Sequence, residues 1–158
     1  LCPKKNGYGG INNIHRSLMG SQFEEGVLNW EEGTPVICGS NQADIGLANG
    51  DIGIVLKKGT EIRLLFNLVS EEQNLVTRLI YPSRIQKLDP AYAITIHKSQ
   101  GSEADNVILI WPFDSTSKNT KANDSENDEN FLKRLIYTAI TRAKKQLDII
   151  IDVDSEGL

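Results

Sequence analysis

The sequence predicts an α/β layer domain whose chain makes an excursion through a small β-barrel. Two observations carry this. Between residues 26 and 88, short β-branched or aliphatic runs alternate with turn chemistry, as in small all-β units. Between 91 and 153, "NVILIW" and "QLDIIIDV" are nearly continuous in apolar residues. Strands buried in a parallel sheet read this way, and a helical pattern lies between the two.

Composition sets the bounds. The chain has 158 residues, enough for one compact unit, or one with a small insert. Hydrophobic residues make up 39% and charged residues 24%, a globular balance. No run approaches the ~18 apolar residues of a membrane span, and the first residues have no signal-peptide pattern. A cytoplasmic setting is the expectation. Cys2 and Cys38 fit no metal spacing and are too few for a disulfide scaffold. The net charge of −4 exerts no global pull on nucleic acid, so DNA binding would need a local patch. The chain does not start with Met and stops at "DVDSEGL"; a fragment of a longer protein is expected.

The elements follow in order. "KKNGYGG" is a Gly-rich turn. "INNIHRSLMG" after it predicts a short helix with Ile11, Ile14 and Leu18 on one side, stopped by Gly20 and Ser21. "TPVICG", "DIGIVL", "EIRLLF" and "LVTRLIY" predict strands, separated by "LANGDIG", "KKGTE" and "SEEQN". Asn49-Gly50 supplies the positive φ of a tight turn. "AYAITI", "NVILIW" and "QLDIIIDV" predict three more strands, with a helix from about Glu129 to Ala143 before the last. The almost wholly polar Asp114 to Asn130 reads as a mobile surface loop. These divisions place residues 1–25 and 89–158 in the α/β layer and 26–88 in the barrel.

Three stretches could carry chemistry. On the predicted helix, Leu132, Ile136, Ala139 and Ala143 form the buried stripe, with Lys133, Arg134, Lys144 and Lys145 well away from it. Arg142 sits at the edge of that stripe, near Leu135. A guanidinium there keeps its charge and wants an anion, either a carboxylate closing a salt bridge or a phosphate. The second stretch is "HKSQGSE". His97, Lys98, Ser99, Gln100 and Ser102 carry donors for phosphate oxygens. Gly101 permits close backbone approach, and Glu103 suits sugar hydroxyls. Ligands of open α/β sheets bind beyond the carboxyl ends of strands, where this stretch follows "AYAITI". The alternative is a polar turn capping a helix, with Ser102 as N-cap. The third is "KKNGYGG", whose backbone N–H groups could grip a phosphate or form a plain surface turn. No Walker A pattern, Ser/His/Asp set or Cys/His metal set occurs, so no metal site is expected.

Taken together, "AITIHKSQGSEADNVIL" and "LIYTAITRAKKQL" resemble motifs V and VI of superfamily 1 helicases, most closely the RecD type, the alpha subunit of exodeoxyribonuclease V. "TPVICGSNQADIGLANGDIGIVL" resembles the segment preceding motif V there, and "LCPKKNGYGGINNIHRSL" resembles the motif IV region. The resemblance runs from Leu1 to about Asp152. It implies a RecA-like second helicase motor domain with an inserted SH3-like β-barrel at about 26–88. It also implies ATP with Mg2+ as cofactor, a first motor domain upstream carrying Walker A and B, and an inactive isolated fragment. The parent would be a 5′→3′ DNA helicase acting on single-stranded and duplex-end DNA in double-strand break repair, with RecB and RecC subunits as partners. Alternatives are a stand-alone RecD-like helicase and a non-catalytic nucleic-acid or protein binding module. By position, Arg142 matches the motif VI arginine that reaches the γ-phosphate. Gln100 and Gly101 match positions near the nucleotide phosphates, and Glu103 a glutamate accepting from the ribose. Thr95, His97 and Lys98 match the side facing single-stranded DNA. Lys5 stands where the family often has an arginine; a lysine there is a point charge without the bidentate fork.

Overall fold

The computed structural model describes residues 1–69, 74–111 and 125–151, with the backbone alone for Val69 and residues 125–129. The chain divides into two compact units, Leu1–Asn13 with Ile94–Leu158, and Ile14–Ala93.

The second unit is built on strands β1 (Pro35–Cys38), β2 (Ile52–Lys58), β3 (Glu61–Val69), β4 (Leu75–Ile80) and β5 (Leu88–Pro90). They pair antiparallel in the order β4-β3-β2-β1-β5. Period-two alternation puts Val55, Leu64 and Phe66 on one buried face. The β2–β3 turn places Gly59 at φ 62°, a conformation glycine adopts without penalty. Asn49-Gly50 precedes β2 with Gly50 at φ 101°.

The closed barrel expected here does not form among the described residues. β4 and β5 are the two edges of an open sheet. The inner face is covered by other groups: Met19, Trp30, Ile45, Leu47 and Ile85 pack onto Val36, Cys38, Val55, Leu64, Phe66 and Ile80. Side chains from a helix and from irregular segments supply the cover, so burial does not require strands to close on one another.

Helix α1 (Ile11–Met19) and a single turn, α2 (Gln22–Glu25), precede the sheet. The expected inner face of α1 was wholly aliphatic. Instead Leu18 is exposed, and the buried row is Ile11, His15 and Met19, at the i, i+4, i+8 spacing. His15 is accommodated because its Nε2 accepts the Ala93 N–H at 3.2 Å. Its ring also lies 5.8 Å from that of Phe23. With Met19 in the core and Phe23 packed against it, this unit begins at 14 rather than 26.

The first unit contains β6 (Ala104–Trp111), helix α3 (Ser125–Ile140) and β7 (Ala143–Ile151). β6 and β7 pair in parallel, from Ala104↔Ala143 to Trp111↔Ile151. Leu1 and Cys2 extend this sheet on the other side of β6. The Ile110 N–H donates to the Leu1 carbonyl at 2.9 Å, and Leu1's amine to the Ile108 carbonyl at 2.5 Å. Cys2 then bridges Thr95 in parallel. The strand expected over 91–96 is reduced to that one bridge.

α3 ends at Ile140, not Ala143, because Ala143 already opens β7 opposite Ala104. Its buried residues are Leu135 and Ala139, packed with Ile96 and Leu109, whereas Leu132 and Ile136 of the expected stripe are exposed. β7 was expected to be buried on both faces, yet Ile149, Ile150 and Ile151 are exposed in this chain. The polar stretch expected as a loop is helical from Ser125; polarity excludes a buried face there, not a helix. The rest of that expectation, 114–124, lies outside the described residues.

Candidate functional site

The segment 95–103 enters as an extended bridge at Thr95 and turns through one 3₁₀ turn, His97–Ser99, into β6. Side chains and backbone hold it from within. The Thr95 Oγ1 accepts the Lys98 N–H at 3.3 Å. Ser99 is buried, and its hydroxyl donates to the Ile96 carbonyl at 2.7 Å. The Gln100 N–H donates to His97 and the Ser102 N–H to Ser99. Gly101 has φ 84°, with no atom within 4 Å of where a Cβ would lie, so the backbone is open to close approach at that point. No helix follows Ser102, so the helix-capping alternative falls; β6 begins at Ala104.

Arg142 lies in the tight connection between α3 and β7. Its Nε donates to the Thr138 carbonyl at 3.2 Å, one terminal nitrogen to the Ser102 carbonyl at 3.0 Å, and the other to Thr141 Oγ1 at 3.1 Å. All three acceptors are neutral. Among the described residues no carboxylate pairs with this guanidinium, so the salt bridge that sequence left as its alternative is absent. The Ala104 N–H donates to the Arg142 carbonyl at 2.9 Å, which fixes the backbone as well.

The parallel pairing brings the two motifs side by side, with a register shift between Ala104 and Asn106. Lys144 Nζ stands 3.4 Å from Glu103 Oε2, and Lys145 Nζ 2.8 Å from Asp105 Oδ2. Each side chain is about half exposed, so these are weak, exchangeable pairs. Gly101, Ser102, Glu103 and Arg142 therefore form one cluster. Lys144 and Lys145, read from sequence as part of the helix, lie in β7 instead.

At the other end of the segment, the exposed His97 ring stacks on Phe131 of α3, with centroids 6.2 Å apart and planes at 26°. Beside it, Gln100, Asn130, Lys133, Arg134, Tyr137 and Thr138 line an open cleft of about 630 Å³. Sequence reasoning missed Phe131 and Tyr137; the signal was two aromatics on the polar side of a helical wheel.

Lys5 stands in the turn before α1. The carbonyls of Lys4, Lys5, Gly7 and Gly10 accept the N–H groups of Ile11, Asn12, Gly10 and Asn13 at 3.0–3.2 Å. Of the N–H groups considered for phosphate, that of Gly10 is used within the turn, and the stretch's carbonyls serve to start the helix.

Among the described residues, no three His, Cys, Asp or Glu gather to hold a metal. No described helix is long and apolar enough to cross a membrane.

Comparison with known proteins follows this geometry. Residues 90–150, which contain the cluster, match the UvrD-like helicase C-terminal domain. A crystal structure of Bacteroides Pif1 bound to ssDNA has the same fold at a TM-score of 0.51. It is 19% identical and covers 97% of this chain and 40% of its own. The fold is that of a helicase C-terminal domain of RecA-like α/β type. The RecBCD enzyme subunit RecD of Buchnera aphidicola subsp. Schizaphis graminum is 32% identical over 160 residues, covering 94% of this chain and 24% of that protein. The RecD subunit of Mycobacterium tuberculosis strain H37Rv is 28% identical over 154 residues, covering 95% and 24%. Along nearly its whole length the chain is similar to RecD-type superfamily 1 helicases, and it spans about a quarter of the length of these curated relatives.

Proposed function

We propose that this chain is the second motor lobe of an ATP-dependent 5′→3′ DNA helicase, the RecD-like subunit of an exodeoxyribonuclease V acting in double-strand break repair. The observation that carries the reading is Arg142. A partly buried guanidinium held by three neutral oxygens is positioned, yet its charge is uncompensated. It suits an anion brought from outside the chain, and a γ-phosphate fits that description.

In this reading Arg142 stabilises charge in the phosphoryl-transfer transition state. Gln100 and the open backbone at Gly101 approach the nucleotide phosphates. Glu103 accepts from the ribose with the oxygen that Lys144 leaves uncovered, and Lys5 adds a point charge near the γ-phosphate. Thr95, His97 and Lys98 meet single-stranded DNA. The residues here suit phosphate oxygens and not Mg2+, since they offer guanidinium, amide and ammonium groups around one carboxylate. The ion would be held by the nucleotide and by Walker residues of a first motor domain. RecB and RecC are the partners this reading assigns to the parent, by analogy with the RecBCD subunits to which the chain is similar.

Segment 95–103 meets α3 through His97 on Phe131, and meets the turn after α3 through Ser102 and Arg142. Nine residues of α3 separate Phe131 from its end at Ile140, about 14 Å of helix. One segment thereby joins a DNA-facing end to a nucleotide-facing end. Movement at one reaches the other, which is what coupling of hydrolysis to translocation requires.

DNA-stimulated ATP hydrolysis by the intact parent tests this. Arg142→Ala is expected to lower turnover by about 10³–10⁵-fold, the range for an arginine finger, with DNA binding retained. Unchanged turnover overturns the assignment.

A further inference from the structure

We infer that Phe131, with His97 stacked beneath it and Arg134 beside it, forms a shelf for one unpaired base of a single-stranded nucleic acid. This rests on the DNA-binding reading above and adds residues that the motif comparison does not assign.

Phe131 is 51% exposed and Tyr137 71% exposed. Large aromatics that face water on a helix with a buried side elsewhere contribute little to the core; Leu135 and Ala139 make that contact. Phe131 does not stand alone. The His97 ring lies 6.2 Å away at 26°, so one face of the phenyl ring is backed and its orientation is restrained. A backed, exposed ring is a preordered stacking surface, and ordering it in advance lowers the entropy lost on binding. Arg134 is an i, i+3 neighbour of Phe131 on one side and of Tyr137 on the other. Arg134 and Tyr137 also line the open cleft with Gln100, Asn130, Lys133 and Thr138.

A basic group between two aromatic ones is the chemistry of a sequence-tolerant single-strand site. Bases stack on the rings, and the backbone phosphate between them meets the guanidinium. The carboxylates Glu103 and Asp105 near this segment are occupied by Lys144 and Lys145 and do not face Arg134 in any contact.

The test measures Kd of the intact parent protein for a 12-mer deoxythymidine oligonucleotide and for the same length with abasic sites. Wild type is expected to bind the abasic strand more weakly. Phe131→Leu should weaken binding of the normal strand by about 5- to 150-fold, the range for one stacked base, and leave the abasic affinity unchanged. Phe131→Trp should restore the normal affinity, which a misfolded variant could not. Arg134→Gln should weaken both strands alike and flatten the salt dependence by about one phosphate contact. If wild type binds but Phe131→Leu matches it on the normal strand, the shelf is overturned while the DNA reading stands. If wild type binds neither strand, the DNA reading falls and the shelf with it.

Discussion

At Arg142, three nitrogens of one guanidinium are held by oxygens from α3, from the following turn and from the segment before β6. Lysine could satisfy one of these acceptors at a time. Arg142→Lys in the intact parent should therefore lose most of the rate that Arg142→Ala loses, although the charge is kept; single-turnover hydrolysis reads this. His15 presents a different residue-scale case. It is buried, and its Nε2 satisfies the Ala93 N–H. His15→Leu keeps an apolar neighbour for Phe23 but strands that donor, at a cost of about 1–3 kcal/mol, measurable by urea unfolding. Burial pushes the Cys2 thiol above its ordinary pKa. Less thiolate at a given pH means slower alkylation. Iodoacetamide at pH 8 should label native Cys2 far more slowly than denatured Cys2, as followed by mass spectrometry.

The elements differ in how well their inner faces could be read. β2 and β3 alternate cleanly, and their register places Gly53 opposite Phe66. A Cβ on Gly53 would meet the Leu65 carbonyl oxygen at 2.5 Å and the Phe66 ring at 2.9 Å. Gly53→Ala should destabilise the sheet by about 1–3 kcal/mol through overpacking. Gly50→Ala, with open space around it, should cost only its backbone strain. In α3 the wheel drawn from sequence chose Leu132 and Ile136, while the chain buries Leu135 and Ala139. Leu135→Ala should cost about 2–5 kcal/mol and Leu132→Ala well under that, compared by thermal melting. Amphipathicity locates an apolar arc on a helix, but two adjacent arcs were available here, and contact with Ile96 and Leu109 selected one.

Across the whole molecule, the pairing of β6 with β7 was more legible than the architecture of the five-stranded sheet. The site lies on a short parallel register. Once Ala104 opposes Ala143, Glu103 and Lys144 must be neighbours, and Ser102 comes within reach of Arg142. The other unit's cover came from Trp30, Ile45, Leu47 and Ile85, residues spread over irregular segments with no period to betray them. An open sheet capped in this way looks, in sequence, like a barrel. The expectation that the fragment alone binds ATP poorly belongs at this scale. On the proposed reading the described residues would offer one guanidinium and a few polar groups to one side of a phosphate, and the sequence has no phosphate loop. Calorimetry on the fragment should show no binding at micromolar ATP; micromolar affinity would contradict a half-site.

By itself the sequence determined the strands β1 to β4, β6 and β7 and the parallel pairing class of the last two. These follow from local periodicity and from motif spacing, both of which are properties of neighbours along the chain. Tertiary structure alone decided that the β unit stays open and that a histidine joins an otherwise apolar row. It also decided that α3 stops before Arg142, and that Phe131 and His97 meet. Each of these depends on which distant groups compete for the same buried space or the same hydrogen bond. Ala143 is lost to the helix because Ala104 pairs with it, and His15 is kept in the interior because Ala93 needs an acceptor.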